Sequence, residues 1–264
     1  MKAEVIIPTC GRPDMVTRCM SSLLEHTSSY RLTWIDNGST PVDRQQMQAE
    51  FLKHTFRGCL WSSERLGFVG AVNLGLQLVF DVWHSQAPYV VLLNSDVEVM
   101  PGWLDSMISV LERDDSIWAV GPVTSECKSW QSYQNVAKVT GTFAIPSGFA
   151  ALDGHGRAEK LSYVFGELYR PCRMVAFFCT VFRRKAFEDV GRLDPDFNAG
   201  FGDDDDYCFR MGKNGGKCAL ALGSYVHHEH RATFKSLHDD AEIKRMQEHA
   251  KATFIAKHGE EPRV

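Results

Sequence analysis

The chain has 264 residues, of which 44% are hydrophobic, and its formal net charge is -4. This length allows a substantial core in one domain or two small ones, and the acidic balance argues against a general nucleic-acid binder, which usually has a basic excess. Eight cysteines without a CxxC pair predict free thiols in a reducing compartment rather than a disulfide framework.

Strand and helix patterns alternate through the first half of the chain. Short β-rich runs predict five strands, at residues 3–7, 31–35, 58–62, 89–93 and 117–123. Apolar residues at helical spacing predict four helices between them, at residues 14–25, 42–54, 67–84 and 101–113. This alternation predicts a mostly parallel sheet with helices on both faces.

The second half of the chain has a less regular pattern. Residues 125–170 show no clear periodicity, which predicts β-hairpins or a long loop. Beyond them we predict strands at residues 175–183 and 218–226, and helices at residues 184–190, 207–213 and 241–257. No repeat or linker-like segment divides the chain, so we expect a single compact domain.

No segment of the sequence predicts membrane insertion. The apolar run before Pro8 is too short for a signal peptide, and no stretch approaches the roughly 18 apolar residues of a membrane span. We expect a cytoplasmic protein without a transmembrane segment, and peripheral contact with a membrane stays open. The oligomeric state is not indicated.

Acidic and amide side chains follow the predicted strand at residues 89–93. Asn94, Ser95 and Asp96 come directly after it, and Glu98 lies two residues further on. Ligands of open α/β sheets gather at the carboxyl ends of the strands, and oxygen ligands there suit a hard divalent ion that holds a diphosphate. The pattern predicts a metal site at this edge of the sheet. The alternative is that Asp96 caps the following helix.

Four consecutive aspartates occupy residues 203–206, between Phe201 and Tyr207. Adjacent like charges repel one another and do not favour folding, which makes a simple solvated face a poor explanation. Crowded carboxylates also raise one another's pKa, which is typical of functional sites. We therefore expect this run to belong to a catalytic site.

Five segments of the chain, taken in order, resemble the family-2 inverting glycosyltransferases. The segments are residues 5–9, 35–39, 67–75, 93–96 and 191–210. The resemblance implies the GT-A fold, an α/β fold with a Rossmann-like, mostly parallel sheet flanked by helices and a smaller mixed acceptor-side region. It implies one domain over residues 1–264, with a nucleotide-sugar-binding half (1–124), an acceptor-binding and catalytic half (125–235) and a C-terminal helix (236–264).

The resemblance also implies an activity. A family member moves one sugar from a nucleotide-diphosphate donor to an acceptor hydroxyl with inversion at the anomeric carbon, assisted by Mn²⁺ or Mg²⁺. The expected donor is a UDP-, GDP- or dTDP-sugar. The acceptor is a glycan, a lipid-linked sugar, a protein or a modified nucleic-acid base, selected by residues 125–175.

The resemblance assigns binding roles to individual residues. Those expected to contact the nucleotide sugar are Pro8, Thr9, Arg12, Asp36, Gly67, Asn73, Asn94, Ser95 and Asp96. Asp96 is the expected metal ligand because an amide, Asn94, stands where many relatives carry the first acid of Asp-x-Asp. An alternative for Asp36 is that it only shapes an Asx-turn with Gly38.

A histidine near the end of the last predicted strand is the second expected metal ligand. The family often places this histidine five residues before a Ser or Thr, and Thr233 has that spacing from His228 rather than from His227. Arg231 and Lys235 follow closely and could meet phosphate. Three histidines beside Glu229 could instead hold zinc, or could simply be exposed.

The aspartate run matches the family pattern acidic-Asp-x-Asp-x-x-x-Arg. The match makes Asp204 the expected general base, which removes the proton of the acceptor hydroxyl. Asp203 is the alternative base, because it stands where the family usually has Glu. Asp206 and Arg210 are expected to pair across one turn of the helix.

Other interpretations stay open at this point. Trp130 and Tyr133 either stack on an acceptor or belong to the core. A sugar-nucleotide nucleotidyltransferase is a second candidate, although the segment after the first strand lacks the expected Gly-rich loop with Arg and Lys. A non-catalytic nucleotide- or sugar-binding module is the third, and in such a module Asp204 would be dispensable.

Overall fold

The computed structural model describes residues 1–125, 127, 129–140, 145–198, 200–229 and 239–262, with the backbone alone for residues 137–140. Within these residues nine strands form one sheet in the order β3-β2-β1-β4-β8-β6-β9-β5, and β7 pairs with β9. The strands are β1 (Ala3–Thr9), β2 (Tyr30–Asn37), β3 (Arg57–Ser62), β4 (Tyr89–Leu93), β5 (Val97–Val99), β6 (Ile117–Thr124), β7 (Tyr169–Cys172), β8 (Cys179–Arg183) and β9 (Lys217–His228).

The helices cover both faces of the sheet. They are α1 (Pro13–His26), α2 (Pro41–Phe51), α3 (Gly67–Gln77), α4 (Trp103–Arg113), α5 (Tyr133–Thr140), α6 (Gly154–Phe165), α7 (Arg184–Val190), α8 (Asp203–Lys213) and α9 (Asp240–His258). One hydrophobic core lies between the sheet and α1, α2 and α4. A second lies between the opposite face and α3, α7, α8 and α9. None of the described helices is long and apolar enough to cross a membrane.

The sheet is parallel in its first half and mixed in its second. Strands β3, β2, β1 and β4 pair in parallel. Each β-α-β connection carries the chain back across the sheet, so that the next strand runs in the same direction. Strand β8 lies antiparallel between β4 and β6, while β9 is parallel to β6 and antiparallel to β5 and β7. The predicted fold class, a Rossmann-like half joined to a smaller mixed region, is confirmed.

Residues 125–170 differ from the expected hairpins or long loop, because their described part contains the helices α5 and α6. Helix α6 buries Ala158, Leu161 and Phe165, which are three and four residues apart, as on one helical face. This face packs against the end of β9 in a small third core. The helical spacing of apolar residues was not recognised in the sequence, because only three buried positions of α6 show it.

The predicted strand at residues 175–183 is shorter in the structure and begins at Cys179. The amide N–H of Ala176 donates a hydrogen bond to the Gln131 side chain at 2.6 Å instead of joining a strand ladder. This side-chain contact holds residues 175–178 as a turn beside β4.

Helix α9 is held to α8 by a buried ion-pair network around Asp206. Arg210 donates to one oxygen of Asp206 at 2.8 Å, and the His258 ring lies 2.8 Å from the other. Arg210 also donates to the carbonyl oxygens of Val190 and Arg192. The predicted pair between Asp206 and Arg210 is therefore confirmed, and it joins three elements rather than bracing α8 alone.

Removing the Asp206 carboxylate is expected to destabilise the fold. Asp206→Ala leaves Arg210 without its buried partner, and breaking a pair of this kind costs about 3 kcal/mol. Urea unfolding should show this loss, whereas Asp189→Ala, in the exposed pair with Lys185 on α7, should change stability by less than about 1 kcal/mol. Equal losses in the two variants would contradict the role given to Asp206.

Candidate functional site

The carboxyl ends of the four parallel strands lie side by side and form one edge of the sheet. Thr9 at the end of β1 is in register with Asp36 near the end of β2, and Asp36 is in register with Trp61 of β3. Asn94 follows the end of β4, which is the other neighbour of β1. The edge therefore collects residues that the sequence had singled out in separate segments.

The Asp36 carboxylate is buried at this edge and held by two groups. Arg44 donates to one oxygen at 2.5 Å, and the Ser39 amide N–H donates to the other at 3.3 Å. The Arg44 guanidinium also lies over the Trp61 ring, 5.2 Å from its centroid. The Ser39 bond is the local turn contact that the alternative for Asp36 requires, and a nucleotide contact of Asp36 stays a prediction.

Thr9 is also buried, and its hydroxyl accepts a hydrogen bond from the Trp34 indole at 2.8 Å. The loop after Thr9 is tied to the next strand, since the Gly11 amide donates to the Ser39 hydroxyl at 2.8 Å. These contacts fix the backbone between β1 and α1 at the predicted nucleotide site, with Pro8 inside the strand.

The glycine segment at the start of α3 packs against residues that precede α8. Gly67 has a φ of +73°, and a Cβ atom there would lie 2.4 Å from the Asn198 side-chain oxygen. Asn198 accepts from the Gly70 amide at 2.9 Å and donates to the Leu66 carbonyl at 2.7 Å. A side chain at position 67 would clash with Asn198, so only glycine fits there. This close contact places the segment before α8 beside the end of β2.

Two asparagines with structural roles at this edge were absent from the sequence-based site. Asn198 is one, and Asn37 is the other, because its side chain accepts from the Leu66 amide at 2.5 Å and donates to the Gly67 carbonyl at 3.2 Å. Nothing in their local sequence distinguishes them from ordinary turn residues. Their partners are 29 to 132 residues away.

Asn73 has a different contact from the one predicted. Its amide nitrogen donates to the Leu193 carbonyl at 2.8 Å, and its oxygen accepts from the Leu193 N–H at 3.0 Å. The side chain thus joins α3 to the segment between α7 and α8. Its predicted nucleotide contact would have to displace this pair of hydrogen bonds.

Asp96 and His228 meet where β4 ends and β5 begins. The Asp96 carboxylate lies 3.4 Å from the His228 ring nitrogen, and the two side chains are only 9% and 6% exposed. The Phe178 ring stacks on the imidazole with centroids 4.6 Å apart. Backbone bonds hold both residues, from Glu229 N–H to the Asp96 carbonyl at 3.0 Å and from His228 N–H to the Ser125 hydroxyl at 3.1 Å.

This pair fits the first ligands of a divalent ion. Ligand atoms bound to one ion at about 2.0–2.2 Å lie roughly 3–3.5 Å apart, close to the separation of the Asp96 oxygen and the His228 nitrogen. An ion such as Mn²⁺ or Mg²⁺ uses few protein ligands and takes the rest from phosphate and water. The capping alternative for Asp96 is wrong, because the next helix begins at Trp103 with Gly102 as its N-cap.

The register of β9 separates the two neighbouring histidines. His228 pairs with Val97 and His227 with Glu98, and successive side chains of a strand point to opposite faces. Among the described residues, His227, His228 and Glu229 do not form a three-ligand metal group. His230, Arg231, Thr233 and Lys235 lie outside the described residues.

Arg18 of α1 and Arg12, the residue before α1, lie near the carboxylates around Asp96. Arg18 donates to Glu98 at 3.0 Å and to Glu229 at 2.5 Å. Arg12, in a left-handed conformation at the start of α1, has a raised pKa, chiefly through its hydrogen bond with Asp14 and further through the charges of Glu229 and Asp96. Arg12 was predicted to lie at the site, and Glu229 was named only in the zinc alternative, whereas Arg18 carried no recognisable signal in the sequence.

The aspartate run forms the first turn of α8. Gly202 precedes it with a φ of +76°, and the Asp205 N–H donates to the Asp204 carboxylate at 2.9 Å. Asp203 and Asp205 are buried, whereas Asp204 is partly exposed. Asp204 is therefore better placed than Asp203 to meet a bound molecule.

Burial changes the protonation of these carboxyls. It raises the pKa of Asp204 to about 7, and the charge of Asp205 adds to the rise. Burial and the charge of Asp204 raise the pKa of Asp203 well above its ordinary value. Since Asp206 is also paired with Arg210 and His258, the run does not hold four unbalanced negative charges at neutral pH.

Side-chain contacts connect α8 and the segment before it with a neighbour of Phe178 and with the end of β2. Phe178 stacks on His228, and the adjacent Phe177 contacts Tyr207, one turn after Asp204, with ring centroids 6.0 Å apart. Asn198 links the segment before α8 to the end of β2 by way of Leu66. Through Asn198 and Leu66 the segment before α8 thus contacts the carboxyl edge of the sheet, and a position of Asp204 near the metal-ligand pair stays a prediction.

The two aromatic residues proposed as stacking platforms have different surroundings. Tyr133 packs on Phe149 with ring centroids 5.2 Å apart and belongs to the small third core. Trp130 lines a cavity of about 430 Å³ together with Gln131, Val136, Arg170, Pro171, Cys172 and Leu220. An acceptor contact stays open for Trp130 alone.

Comparison with known proteins agrees with this architecture. O-antigen biosynthesis protein RfbC of Myxococcus xanthus is 25% identical to this chain, over 86% of the chain and 17% of RfbC. A crystal structure of GalNAc-T7 with UDP, GalNAc and Mn²⁺ has a TM-score of 0.60 at 15% identity, covering 86% of this chain and 43% of that one. Mannosyltransferase PcManGT from Pyrobaculum calidifontis, in complex with GDP-Man and Mn²⁺, has a TM-score of 0.66 at 15% identity, covering 99% and 66%.

The two solved structures, at this low identity, support the fold alone. The model of the family described as glycosyl transferase family 2 matches residues 4–191, more than half of the chain. The matched residues contain the whole parallel half of the sheet and the Asp96 segment. The chain therefore belongs to glycosyl transferase family 2 and has the GT-A fold.

Proposed function

We propose that this chain is a metal-dependent, inverting glycosyltransferase that moves one sugar from a nucleotide-diphosphate sugar to an acceptor hydroxyl. The observation that carries the proposal is the metal-ligand pair, Asp96 and His228, in a chain that also holds a carboxyl with a pKa of about 7, Asp204. A transfer of this kind needs both a group that supports the leaving diphosphate and a base that accepts a proton.

The donor side is built around Asp96. Mn²⁺ or Mg²⁺, when bound, supplies positive charge that stabilises the leaving diphosphate. Asp96 and His228 would hold the ion, and the Arg12 guanidinium, which lies in the field of Asp96, supplies a further positive charge for phosphate. The backbone from Pro8 to Thr9 and the Asn94–Ser95 turn would bind the rest of the donor, which is a UDP-, GDP- or dTDP-sugar.

The acceptor side is built around Asp204. Its carboxylate would take the proton of the acceptor hydroxyl while that oxygen attacks the anomeric carbon on the face opposite the diphosphate, so that the configuration inverts. A base with a pKa near the working pH is the most effective, and such a group typically contributes about 10²–10⁴-fold to the rate. Asp203 is more buried than Asp204, and burial raises its pKa well above the ordinary value, so it is less available as a base.

The two competing functions have weaker support. A nucleotidyltransferase needs a phosphate-binding loop after β1, but here the Gly11 amide is used by Ser39. A non-catalytic binding module has no use for a carboxyl whose charged form is disfavoured by burial. The acceptor classes proposed from the sequence, a glycan, a lipid-linked sugar, a protein or a modified nucleic-acid base, all offer the nucleophilic group that Asp204 would activate.

Removing the proposed base should abolish transfer without abolishing donor binding. Asp204→Asn keeps the size of the side chain but cannot accept the proton, so hydrolysis of UDP- and GDP-hexoses with Mn²⁺, in which water replaces the acceptor, should fall by about 10²–10⁴-fold. A thermal-shift assay should still show stabilisation by the donor. Asp205→Asn is the matched control on the next residue and should retain activity within about tenfold of wild type; hydrolysis by Asp204→Asn at the wild-type rate would exclude the base role.

The pH profile should report the raised pKa of Asp204. A base must be deprotonated, so the rate of donor hydrolysis should rise with pH, reach half its maximum near pH 7 and level off above it. Because the charge of Asp205 contributes to the rise in pKa, Asp205→Asn should move the midpoint to lower pH. A wild-type profile that is flat from pH 5.5 to 9 would contradict this assignment.

Mn²⁺ dependence should reside in Asp96 and His228. Asp96→Asn and His228→Ala each remove one ligand atom, and each should lose the Mn²⁺-dependent part of donor binding in a thermal-shift titration. His227→Ala is the matched control, because His227 is adjacent in sequence but on the other face of β9. If His227→Ala lost the Mn²⁺ response and His228→Ala kept it, the ligand would be misassigned.

A further inference from the structure

Three potential metal ligands lie together on the surface between α1 and α6, away from the site described above. They are Glu25 and His26 in the last turn of α1 and His155 in the first turn of α6. One ligand atom of each lies within 4.8 Å of the others. The two imidazole rings meet edge to face with centroids 5.2 Å apart, and the Glu25 carboxylate is 3.9 Å from the His26 ring nitrogen.

The backbone on each side of the cluster is fixed by other contacts. Thr27, which follows His26, accepts a hydrogen bond from the Trp103 indole at 2.9 Å. The start of α6 is capped by Asp153, which accepts from the Gly156 N–H at 2.8 Å. Gly154 lies against Met100 so closely that a Cβ atom would be 2.7 Å from the methionine methyl carbon. The two helix ends therefore face each other at a fixed separation, whether or not an ion is bound.

The donor set is one that first-row transition metals prefer. Two imidazole nitrogens and one carboxylate oxygen bind Zn²⁺ in metalloenzymes, and water completes the tetrahedral shell. Bond lengths of about 2.0–2.1 Å place neighbouring ligand atoms about 3.4 Å apart, so rotation of the exposed Glu25 and His155 side chains has to close roughly 1 Å. Imidazole-rich sites of this kind favour Zn²⁺ over Mn²⁺, unlike a site completed by diphosphate oxygens.

We propose that Glu25, His26 and His155 form a second metal site, which takes Zn²⁺ or a similar transition-metal ion and joins α1 to α6. Helix α1 has 14 residues and is therefore about 20 Å long. Cys19, in the middle of α1, donates to the Asn94 carbonyl at 3.5 Å, and the seven residues from Cys19 to His26 span about 10 Å. An ion here is too far from Asp96 to take part in transfer, and its effect is to hold the α6 layer against the main core.

The test is Zn²⁺ binding by the full chain without any nucleotide. After equilibrium dialysis against micromolar Zn²⁺, elemental analysis should find one more Zn²⁺ per wild-type chain than per His155→Ala chain. Zn²⁺ should also raise the melting temperature of the wild type by mass action, and His155→Ala should lose this rise. Glu25→Gln, a second exposed variant that should fold normally, should bind Zn²⁺ about tenfold more weakly.

Two controls separate this site from the rest of the molecule. His249→Ala removes an exposed histidine of α9 and should keep the bound Zn²⁺. Asp96→Asn should also keep it, because the ion is held elsewhere. Equal Zn²⁺ contents in wild type, His155→Ala and Glu25→Gln would overturn the proposal, as would loss of the ion in Asp96→Asn. Donor hydrolysis should be unchanged in His155→Ala, so a failure of the proposed glycosyltransferase activity would leave the Zn²⁺ result unaffected.

Discussion

The pairing of the three-residue strand β5 with the end of β9 is the contact on which the candidate site depends. Asp96 belongs to the turn before β5, and His228 ends β9, 132 residues later in the chain, yet the register Val97↔His228 brings their side chains to 3.4 Å. A shift of one residue would exchange His228 for His227, because side chains alternate between the faces of a strand. The Ser125 hydroxyl and the stacked Phe178 ring oppose such a shift.

Arg18 adds an electrostatic constraint to the same pairing. Its guanidinium binds Glu98 on β5 and Glu229 just after β9, so it holds the two strands together and offsets part of the charge of two carboxylates near Asp96. These ion pairs are partly exposed, and their direct contribution to stability is small. Their main consequence is local. Because Glu98 and Glu229 are occupied by Arg18, they compete less with Asp96 for a cation.

Helix α8 combines one carboxyl that stabilises the fold with two that oppose it. Asp206 is buried but fully engaged by Arg210 and His258. Asp203 and Asp204 are protonated more readily in the folded chain than in the unfolded one, since burial raises both pKa values. For Asp204 the folded state therefore loses stability as the pH rises from about 4 to about 7. Asp204, which disfavours folding when charged, lies close to Asp206, which stabilises the fold. Such a carboxyl is expected where a base must work near neutral pH.

Local patterns were sufficient to predict the parallel half of the fold. The strands and helices up to β6, apart from the three-residue β5 that the sequence did not predict, follow from alternating periodicities, and the tertiary structure then places the strand ends at one edge. The pair Asp206–Arg210 was also predictable, since it depends only on helical spacing. The position of β8 between β4 and β6 was not, because antiparallel insertion is a long-range pairing with no sequence period of its own.

Site residues were predictable only where the neighbouring sequence pointed to their role. Asp96 follows an apolar strand, and Asp204 lies in an acidic run, so both stood out. Asn37, Asn198 and Arg18 are ordinary residues in sequence and acquire their roles from partners that are distant along the chain. Asn73 shows the reverse case, because a position typical of a ligand contact is occupied by hydrogen bonds to Leu193.

A shared backbone fixes where a site lies more firmly than it fixes which residues form the site. The two solved structures share only 15% of residues with this chain, yet their backbones superpose with TM-scores of 0.60 and 0.66. Their similarity supports the fold, while the site and the roles of its residues have to be argued from side chains. With an amide at Asn94, the second protein ligand has to come from another strand. The long-range register of β9, rather than a local acidic motif, then determines whether this chain can hold the proposed metal ion.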